Sequence, residues 1–365
     1  MRVALISPYS LRAFGGVQEQ TLAMSRELAR RGHEVLVVAP DVNDRTTYDT
    51  PAVVSRFGHV SMIRANGSRA PLTLSLLATR RAWFATTQFR PDVIHFHEPF
   101  APVIGWGVLR VHRAPAVGTF HRSGNGPALR FTRPLLRAFV TDLDVSVAVS
   151  ESAASTIHDA CGLNPEILFN GFEMERFVES ARERTEETVL VTLGRLEERK
   201  GTQHAIRAVR AHNARGERQW RLVVVGEGPE RARLESLAGH DNRIVFVGAV
   251  DDETKRAWLR RANAFVAPAL RGESFGMVLL EAMASETTVV ASNISGYREA
   301  ASGFAHLFEP GDALDLERAI THALESETAE SIARAHAHAQ RLSMGSLMDA
   351  YEDLYERARV HFRAQ

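Results

Sequence analysis

Lysine is almost absent from this sequence. Among 365 residues, Lys and Arg together number 44, and Lys200 and Lys255 are the two lysines. A composition that uses arginine almost wherever a cation is needed makes the two exceptions informative, because lysine offers a compact, flexible ammonium and arginine a planar fork. We therefore expect both lysines to lie where a ligand needs a point charge.

Cysteine and long apolar runs are scarce as well. The single cysteine, Cys161, excludes an internal disulfide and fits a reducing compartment. Residues 1–8 form a short strand pattern without the apolar length of a signal peptide, and no later stretch is long enough to span a bilayer. These features predict a cytoplasmic protein.

Charge is balanced overall but unevenly placed. Residues 1–171 contain 18 Arg and 13 acidic residues, a net charge of +5, and the remainder carries 26 basic and 31 acidic residues. The positive first half favours an anionic surface as its partner. Nucleic acid is not expected as a partner, because the sequence has no basic–aromatic cluster and no recognised binding module.

Strand and helix patterns alternate along the chain, and its length predicts two domains. In the first half, strands are predicted at 2–9, 34–40, 93–97, 116–121, 145–150 and 166–170, and helices at 17–31, 72–89, 101–112, 128–141 and 151–161. The second series has strands at 189–193, 222–226, 244–247, 264–269, 288–292 and 305–308, with helices in most intervals. Repeated βα units predict an α/β fold of two Rossmann-like, doubly wound domains.

The charged, turn-rich segment 173–188 is the predicted linker. The predicted domains are residues 1–172 and 173–345, and a C-terminal amphipathic helix within 346–365 is expected to cross back to the first domain. Two such domains facing each other would place the carboxyl ends of their strands on one central cleft, where α/β proteins bind ligands.

The most informative motif is the stretch 271–281, which joins a predicted strand to a predicted helix. The unpaired N–H groups and positive dipole of a helix start suit an anion, and Gly272 and Gly276 let it approach the backbone. Glu273 would repel a phosphate, so we expect it to accept hydrogen bonds from neutral hydroxyls. Glu281 lies two turns further along the same face. The combination predicts a site for a phosphate-bearing sugar.

This stretch resembles the Glu-x7-Glu signature of retaining glycosyltransferases of family 4. The resemblance extends over nearly the whole chain, through residues 7–10, 15–18, 66–68, 97–99, 119–121, 194–195, 199–201, 250–252 and 254–255. It is strongest toward the actinobacterial branch that mannosylates phosphatidylinositol. The resemblance implies the two-domain GT-B fold and a retaining transfer of a sugar to a lipid acceptor, with GDP-mannose as the donor and phosphatidylinositol as the leading acceptor.

The resemblance also implies roles for the matching residues. Its catalytic set places His121 near the donor sugar, Arg195 and Lys200 at the diphosphate, and Glu273 at the sugar hydroxyls. The other donor-binding residues would be Gly15, Gly16, Val250, Lys255, Ser274, Phe275, Gly276, Met277, Val278 and Glu281. The acceptor-binding residues would be Tyr9, Gln18, Asn66, Ser68 and Thr119.

The acceptor side departs from the resemblance at three places. Ala65 and Phe100 stand where the relatives have Tyr and Asn, and the segment 124–126 has no lysine. A different lipid, or a soluble polyol or sugar, is therefore the alternative acceptor, and another nucleotide sugar is the alternative donor.

Two patterns are typical of metal sites. Asp142 and Asp144 form an Asp-x-Asp triplet, but it precedes a predicted strand instead of ending one. His95 and His97 share a face of a strand but have no further ligand nearby in sequence. Two cations and helix termini can neutralise a diphosphate, so we expect no metal and no other cofactor. The segment 226–228 lacks the third glycine of a dinucleotide fingerprint and is predicted to be a turn.

Membrane contact is suggested by the segment 127–140, which interleaves Arg130, Arg133 and Arg137 with apolar residues. A basic amphipathic helix can lie on an anionic membrane, which would make the protein peripheral on the inner face of the cell membrane. The alternative is a helix that packs on the sheet. Two other functions fit the same motifs: a non-catalytic nucleotide-sugar-binding protein, and a phosphorylase that uses phosphate in place of a nucleotide.

Overall fold

The computed structural model describes residues 1–12, 15–41, 47–58, 60–65, 68–73, 75–101, 104–109, 113–121, 142–178, 186–216, 218–273 and 275–364. The chain divides into two compact units. One comprises Met1–Gly171 together with Met344–Gln365, and the other comprises Phe172–Ser343.

The first unit alternates strands and helices. In order they are β1 (Arg2–Ile6), α1 (Gly16–Arg30), β2 (Glu34–Ala39), β3 (Val53–Arg56), β4 (Ser61–Ala65), β5 (Ser68–Leu72), α2 (Leu76–Phe89), β6 (Val93–His97), α3 (Ile104–Leu109), β7 (Ala116–Phe120), β8 (Val145–Ala148), α4 (Glu151–Cys161) and β9 (Glu166–Ile167).

The second unit follows the same alternation. Its elements are α5 (Glu175–Val178), β10 (Thr188–Leu193), a 3-10 turn (Glu198–Lys200), α6 (Thr202–Ala214), β11 (Trp220–Val225), α7 (Arg231–Ala238), β12 (Ile244–Gly248), α8 (Asp252–Arg261), β13 (Ala264–Ala267), α9 (Met277–Ala284), β14 (Thr288–Ser292), α10 (Ser295–Ala301), β15 (His306–Phe308), α11 (Ala313–Ser326) and α12 (Ala329–Arg341). Helix α13 (Met344–Ala364) then belongs to the first unit.

Each unit is built on one parallel sheet. The first sheet has the order β3-β2-β1-β6-β7-β8-β9, and the second has the order β12-β11-β10-β13-β14-β15. The order reverses beside β1 in the first sheet and beside β10 in the second, where β1 pairs with β6 and β10 pairs with β13. Ligands of doubly wound folds bind at the carboxyl ends of strands at such switch points. The loops after these four strands are therefore the places to look for a site.

Most predicted strands and helices are present, with some differences in bounds. Strand β3 and the antiparallel hairpin β4–β5 were not predicted. Helix α2 begins at Leu76, because the Ser75 side chain accepts a hydrogen bond from Ala78 N and ends the preceding extended segment. The predicted linker contains the short helix α5. The predicted helix at 128–141 lies outside the described residues.

The core of the first unit depends on α13. Side chains of β1 and α1, among them Leu5, Met24 and Leu28, share one buried cluster with Tyr351 and Tyr355 of α13. Both tyrosines are almost fully buried, at 2% and 0% exposure. Full burial of a large apolar side chain contributes on the order of 1.5–3 kcal/mol, so this helix is part of the first core and not an appendage.

Candidate active site

The loop after β10 is held in place by close backbone packing. A Cβ on Gly226 would lie 2.0 Å from the Gly194 carbonyl oxygen, and a Cβ on Gly228 would lie 2.4 Å from that of Leu196. Leu196 N donates to the Glu227 carbonyl over 2.9 Å. The two glycines of the 226–228 segment thus serve as a turn that supports the neighbouring loop. That loop carries Arg195 and Lys200.

Glu273 accepts two cationic partners at one oxygen. Lys200 Nζ lies 2.7 Å and Arg199 Nη1 lies 2.9 Å from Glu273 Oε1. The loops after β10 and β13 thereby meet at the switch point of the second sheet. Both contacts use Oε1, and the Glu273 side chain is 13% exposed. The carboxylate is therefore held as an oriented anion that can accept hydrogen bonds from neutral hydroxyls.

Arg199 had no role in the sequence analysis, yet it connects the parts of this site. Its Nε donates to Glu197 Oε2 over 3.0 Å, and its Nη1 also donates to the Gly272 carbonyl over 3.2 Å. Its position beside Lys200 in the motif was visible in the sequence. Its contact with Glu273, 74 residues away, was not.

Arg195 differs from Lys200 in its exposure. The Arg195 side chain is 62% exposed and lies 3.4 Å from Glu197 Oε1, whereas Lys200 is 19% exposed. An exposed pair of this kind contributes little to stability, on the order of 0–1 kcal/mol. The Arg195 guanidinium can therefore bind a ligand with little loss of stability. Lys200 must either leave Glu273 to bind a ligand or contact both at once.

The start of α9 is formed as the sequence predicted. Gly272 and Gly276 both have positive φ, 79° and 88°. A Cβ on Gly276 would lie 2.5 Å from Tyr297 Cδ1, so glycine is required by both conformation and space. Phe275 is buried at 2% exposure and anchors the turn, while Met277 and Val278 stay partly exposed at the first helical turn. Ser274 lies outside the described residues.

Tyr297 lies directly beneath this turn. Its burial raises the pKa of its phenol well above the usual value, and the nearby charge of Glu273 raises it further. The phenol therefore stays neutral across the physiological range, and the ring acts as an apolar floor under Gly276.

Glu281 and Lys255 form a second ion pair. Lys255 Nζ lies 3.3 Å from both Glu281 Oε1 and Asp252 Oδ1, and 5.5 Å from the centre of the Phe177 ring. Asp251 caps α8 by accepting a hydrogen bond from Thr254 N over 2.8 Å, and the partly buried Val250 precedes it. Both lysines of the chain thus contact a glutamate of the Glu-x7-Glu motif.

In the first unit, the glycine pair precedes α1. Gly15 is the N-cap of α1 in an extended conformation, and both Gly15 and Gly16 are exposed. A Cβ on Gly15 would lie 2.5 Å from Gln18 Oε1. Gln18 is 7% exposed and its Nε2 donates to the Ser10 carbonyl over 3.4 Å. The helix start is therefore open to an anion, whereas the Gln18 amide is largely enclosed.

Tyr9 pairs with the hairpin that sequence patterns missed. It forms an isolated antiparallel bridge with Leu72 at the end of β5, and it is partly exposed. Ser68 begins β5, directly after residues 66–67. Asn66 lies outside the described residues, as does the segment 127–140.

Three histidines are buried at the ends of β6 and β7. The rings of His95 and His97 are stacked with centres 4.8 Å apart, and His97 Nδ1 lies 3.0 Å from His121 Nε2. Burial lowers the pKa of His95 and of His121 to about 3, and it lowers the pKa of His97 well below the ordinary value. All three rings are therefore neutral at physiological pH.

The placement of Thr119 does not fit an acceptor contact. Its side chain is 1% exposed, and its hydroxyl lies 2.8 Å from both His95 Nε2 and the Tyr351 hydroxyl. Tyr355 completes this network by contacting His95 Nδ1 over 2.7 Å. Thr119 thus ties the sheet to α13 in the interior, instead of presenting its hydroxyl to a ligand.

Glu98 is a further residue that the sequence did not assign to the site. It has a φ of 49°, in the left-handed region that residues other than glycine rarely adopt. Its Oε1 accepts a hydrogen bond from His121 N over 2.6 Å. Unfavourable backbone conformations of this kind persist where surrounding contacts over-determine them. Here the carboxylate fixes the backbone of His121.

The two metal-like patterns are used for structure. Asp144 Oδ2 accepts a hydrogen bond from Ala116 N over 2.7 Å. Both ring nitrogens of His95 have hydrogen-bond partners, as described above. Within the described ranges, no group of three or more His, Cys, Asp or Glu side chains is arranged to hold a metal ion.

Helix α2 has an exposed apolar surface that was not predicted. It buries Ala78, Ala82 and Thr86 on one face. The opposite side exposes Leu76 (78%), Leu77 (59%), Phe84 (58%) and Trp83 (39%), with Arg80 and Arg81 exposed between them. We call this set of six residues the α2 surface. Among the helices that the structure describes, none is both long and apolar enough to cross a membrane.

Comparison with known proteins agrees with this geometry. The family described as Glycosyl transferases group 1 matches residues 173–341, and Glycosyltransferase Family 4 matches residues 14–176. The phosphatidyl-myo-inositol mannosyltransferase of Propionibacterium freudenreichii is 34% identical over 341 residues, covering 89% of this chain and 86% of the relative. That of Mycolicibacterium smegmatis is 34% identical over 371 residues, covering 96% and 94%.

Among solved structures, sucrose-phosphate synthase from Thermosynechococcus elongatus superposes with a TM-score of 0.78 at 18% identity, and all of both chains is covered. The fold is thus GT-B, with two parallel-sheet α/β domains. The matched families and the extent of identity show that the chain belongs to glycosyltransferase family 4.

Proposed function

We propose that this glycosyltransferase moves mannose from GDP-mannose to phosphatidylinositol with retention of configuration. The observation that carries the proposal is the Glu273 carboxylate, held at Oε1 by Lys200 and Arg199 in the loop that leads into α9. An oriented carboxylate next to cations and a helix N-terminus matches a sugar diphosphate, which is neutral and polyhydroxylic at one end and anionic at the other.

The leaving group determines the roles of Arg195 and Lys200. When the bond between the sugar C1 and the diphosphate oxygen breaks, the electron pair stays on the diphosphate, whose negative charge increases. Cations placed there stabilise the transition state more than the ground state. Two of them supply this stabilisation without a metal, and we therefore propose a metal-independent reaction.

Retention is proposed from the surroundings of the candidate acids and bases. The histidines at the ends of β6 and β7 are neutral, and Glu273 is held by two cations. In a front-face transfer, the acceptor oxygen bonds to C1 on the side that the diphosphate leaves, and its proton passes to the departing phosphate oxygen. This route balances without a protein nucleophile.

The lipid acceptor is supported by the α2 surface. Exposed leucine and aromatic side chains interleaved with arginine, and no acidic residue on the helix, fit the boundary between anionic headgroups and acyl chains. Both curated relatives cited above are named for phosphatidyl-myo-inositol.

One observation favours a different polyol as the alternative acceptor. Phe100 stands where the family resemblance implies Asn, and the centre of its ring lies 5.1 Å from that of Phe120. The Phe100 side chain thus packs partly against the core, and it cannot form a hydrogen bond with an inositol phosphate. A soluble polyol or sugar would then take the place of the lipid.

The test is an acceptor screen with GDP-mannose, UDP-glucose and ADP-glucose as donors. Phosphatidylinositol vesicles, phosphatidylglycerol vesicles, soluble inositols and simple sugars are offered in turn, with EDTA and with manganese. We expect transfer from GDP-mannose to phosphatidylinositol that EDTA does not reduce, and an α-linked product by NMR. Transfer to soluble sugars with no response to phosphatidylinositol would overturn the lipid acceptor, and loss on EDTA with recovery on manganese would overturn metal independence.

The screen also separates the two other functions. A binding protein would bind GDP-mannose without transferring or hydrolysing it. Orthophosphate would raise the Tm of a phosphorylase. We expect GDP to raise the Tm of the proposed enzyme and orthophosphate to leave it unchanged.

A further inference from the structure

His97 is buried beside the predicted catalytic histidine and has no role in the reaction proposed above. Its side chain is 1% exposed and that of His121 is 7% exposed. One hydrogen bond joins His97 Nδ1 to His121 Nε2 over 3.0 Å. The two outer nitrogens, His97 Nε2 and His121 Nδ1, are buried without a hydrogen-bond partner in the described part of the chain.

The single bond between the rings couples their tautomers. Both rings are neutral because burial disfavours the imidazolium, so each carries one N–H. If His97 donates, the proton of His121 is on its Nδ1 and His97 Nε2 has a lone pair. If His121 donates, both outer nitrogens change roles. One outer nitrogen is thus a donor whenever the other is an acceptor.

The surroundings of His97 favour the first arrangement. Its ring is stacked on that of His95, whose two nitrogens are already bonded to Thr119 and Tyr355. A buried donor without an acceptor is rarer in proteins than a buried acceptor without a donor. His97 is the less exposed of the two residues, at 1% against 7%, so we assign the lone pair to its outer nitrogen, Nε2. The N–H lies on His121, at the end of β7.

We infer that His97 is a positioning residue for His121: its Nδ1–H donates to His121 Nε2 and holds that ring in the tautomer that offers Nδ1–H to a hydroxyl-bearing ligand. The tautomer follows from the hydrogen bond between the two rings together with their neutrality and burial, without reference to the proposed function. The identity of the ligand as the donor sugar or the polyol acceptor rests on the proposed function.

Nitrogen NMR of the full chain labelled with 15N-histidine tests the tautomer without any substrate. Protonated and lone-pair ring nitrogens resonate in separate ranges. In the native chain we expect the His121 ring to be protonated at Nδ1. His97→Phe keeps a ring to stack on His95 but cannot donate a hydrogen bond. In this variant we expect the His121 signals of both tautomers. A lone pair on His121 Nδ1 in the native chain, or an unchanged tautomer in His97→Phe, would overturn the inference.

Kinetics separate positioning from packing. The amide Nδ2–H of His97→Asn lies where Nδ1–H lies in histidine, so this variant retains the donor. We expect the kcat of His97→Phe to fall about tenfold or more, the scale of one lost hydrogen bond. The KM for the nucleotide sugar should change little. His97→Asn should retain most of the native kcat. The exposed His158→Asn, on α4, is the control. Equal losses in the Phe and Asn variants would show that His97 only fills space.

The two readouts keep this inference distinct from the proposed function. If the native chain transfers no mannose to any acceptor, the proposed function fails. The spectra of the native chain and of His97→Phe still decide whether His97 sets the tautomer of His121.

Discussion

At the scale of single residues, the two cations after β10 differ in exposure but are predicted to contribute alike to transition-state stabilisation. Lys200 is largely buried against Glu273, whereas Arg195 is exposed. We expect Lys200→Ala and Arg195→Ala each to lower kcat/KM by roughly 10²–10³, about 2.7–4 kcal/mol, the loss of one electrostatic donor to a developing charge.

The matched control for this pair is Arg233→Ala, which removes an exposed cation on α7 far from the Glu273 cluster in sequence. It should leave kcat/KM within twofold. Lys200→Arg is expected to lose most of the activity, because a planar fork does not replace a compact ammonium between Glu273 and a diphosphate. Turnover near normal in both alanine variants would contradict the assigned roles.

The buried histidines predict how stability depends on pH. The pKa of His95 and of His121 is about 3 when folded, against about 6.5 when unfolded. The unfolded chain therefore binds more protons between these values, so stability is full above pH 6.5 and is lost as the pH falls toward 3. Each histidine contributes a slope of about 1.4 kcal/mol per pH unit there.

Urea unfolding at several pH values between 5 and 8 measures this slope. His121→Gln should reduce the slope below pH 6.5 by about one proton, because glutamine does not titrate. A slope identical to that of the native chain would show that His121 is protonated in both states or in neither.

At the scale of elements, the start of α9 depends on one glycine. Alanine at Gly276 would adopt a left-handed conformation, which costs about 1–2 kcal/mol, and would also collide with Tyr297. Gly303 is the matched control, because its φ is +84° and nothing lies within 4 Å of its Cβ position. We expect Gly276→Ala to lower the Tm clearly more than Gly303→Ala and to abolish transfer.

Comparing the two variants isolates the collision from the backbone strain that both share. The thermal scans should be run with and without GDP. If Gly276→Ala and Gly303→Ala lower the Tm equally, the contact with Tyr297 is not what requires glycine at this turn.

The α2 surface predicts membrane attachment at the scale of one helix. Leu77→Asp and Phe84→Asp should each reduce binding to phosphatidylinositol vesicles at least about tenfold without lowering the Tm, because both side chains are exposed. Leu314→Asp, at another exposed leucine, should bind as the native chain does. Added salt should weaken the attraction of Arg80 and Arg81 to the anionic vesicle surface. Vesicle binding unaffected by either α2 substitution would refute attachment through this surface.

The elements also show what the sequence could predict. The bounds of β6, α4 and β14 agree with the elements predicted at 93–97, 151–161 and 288–292, because apolar periodicity and turn residues mark them clearly. The hairpin β4–β5 was missed although Asn66-Gly67 between its strands is typical of a two-residue hairpin turn. The motif was interpreted only as an acceptor contact.

At the scale of the whole molecule, the candidate site residues of the second unit were easier to predict from the sequence than those of the first unit. Glu273, Lys200 and the glycines of α9 lie in short motifs whose residue types suit the chemistry. The contacts of His95 and Thr119 come from Tyr355 and Tyr351, 260 and 232 residues away. No local pattern carries such a pairing, so the burial of Thr119 could not be predicted from its neighbours in sequence.

The return of α13 to the first unit has a consequence for synthesis. Translation proceeds at about 5–20 residues per second, so β1, β6 and β7 leave the ribosome many seconds before Tyr351 and Tyr355 do. During that interval the growing chain holds an unfilled apolar face on its first sheet, while Phe172–Ser343 can complete its own core. The unit made first is thus the last to be finished, and its exposed face is where a chaperone would bind the nascent chain.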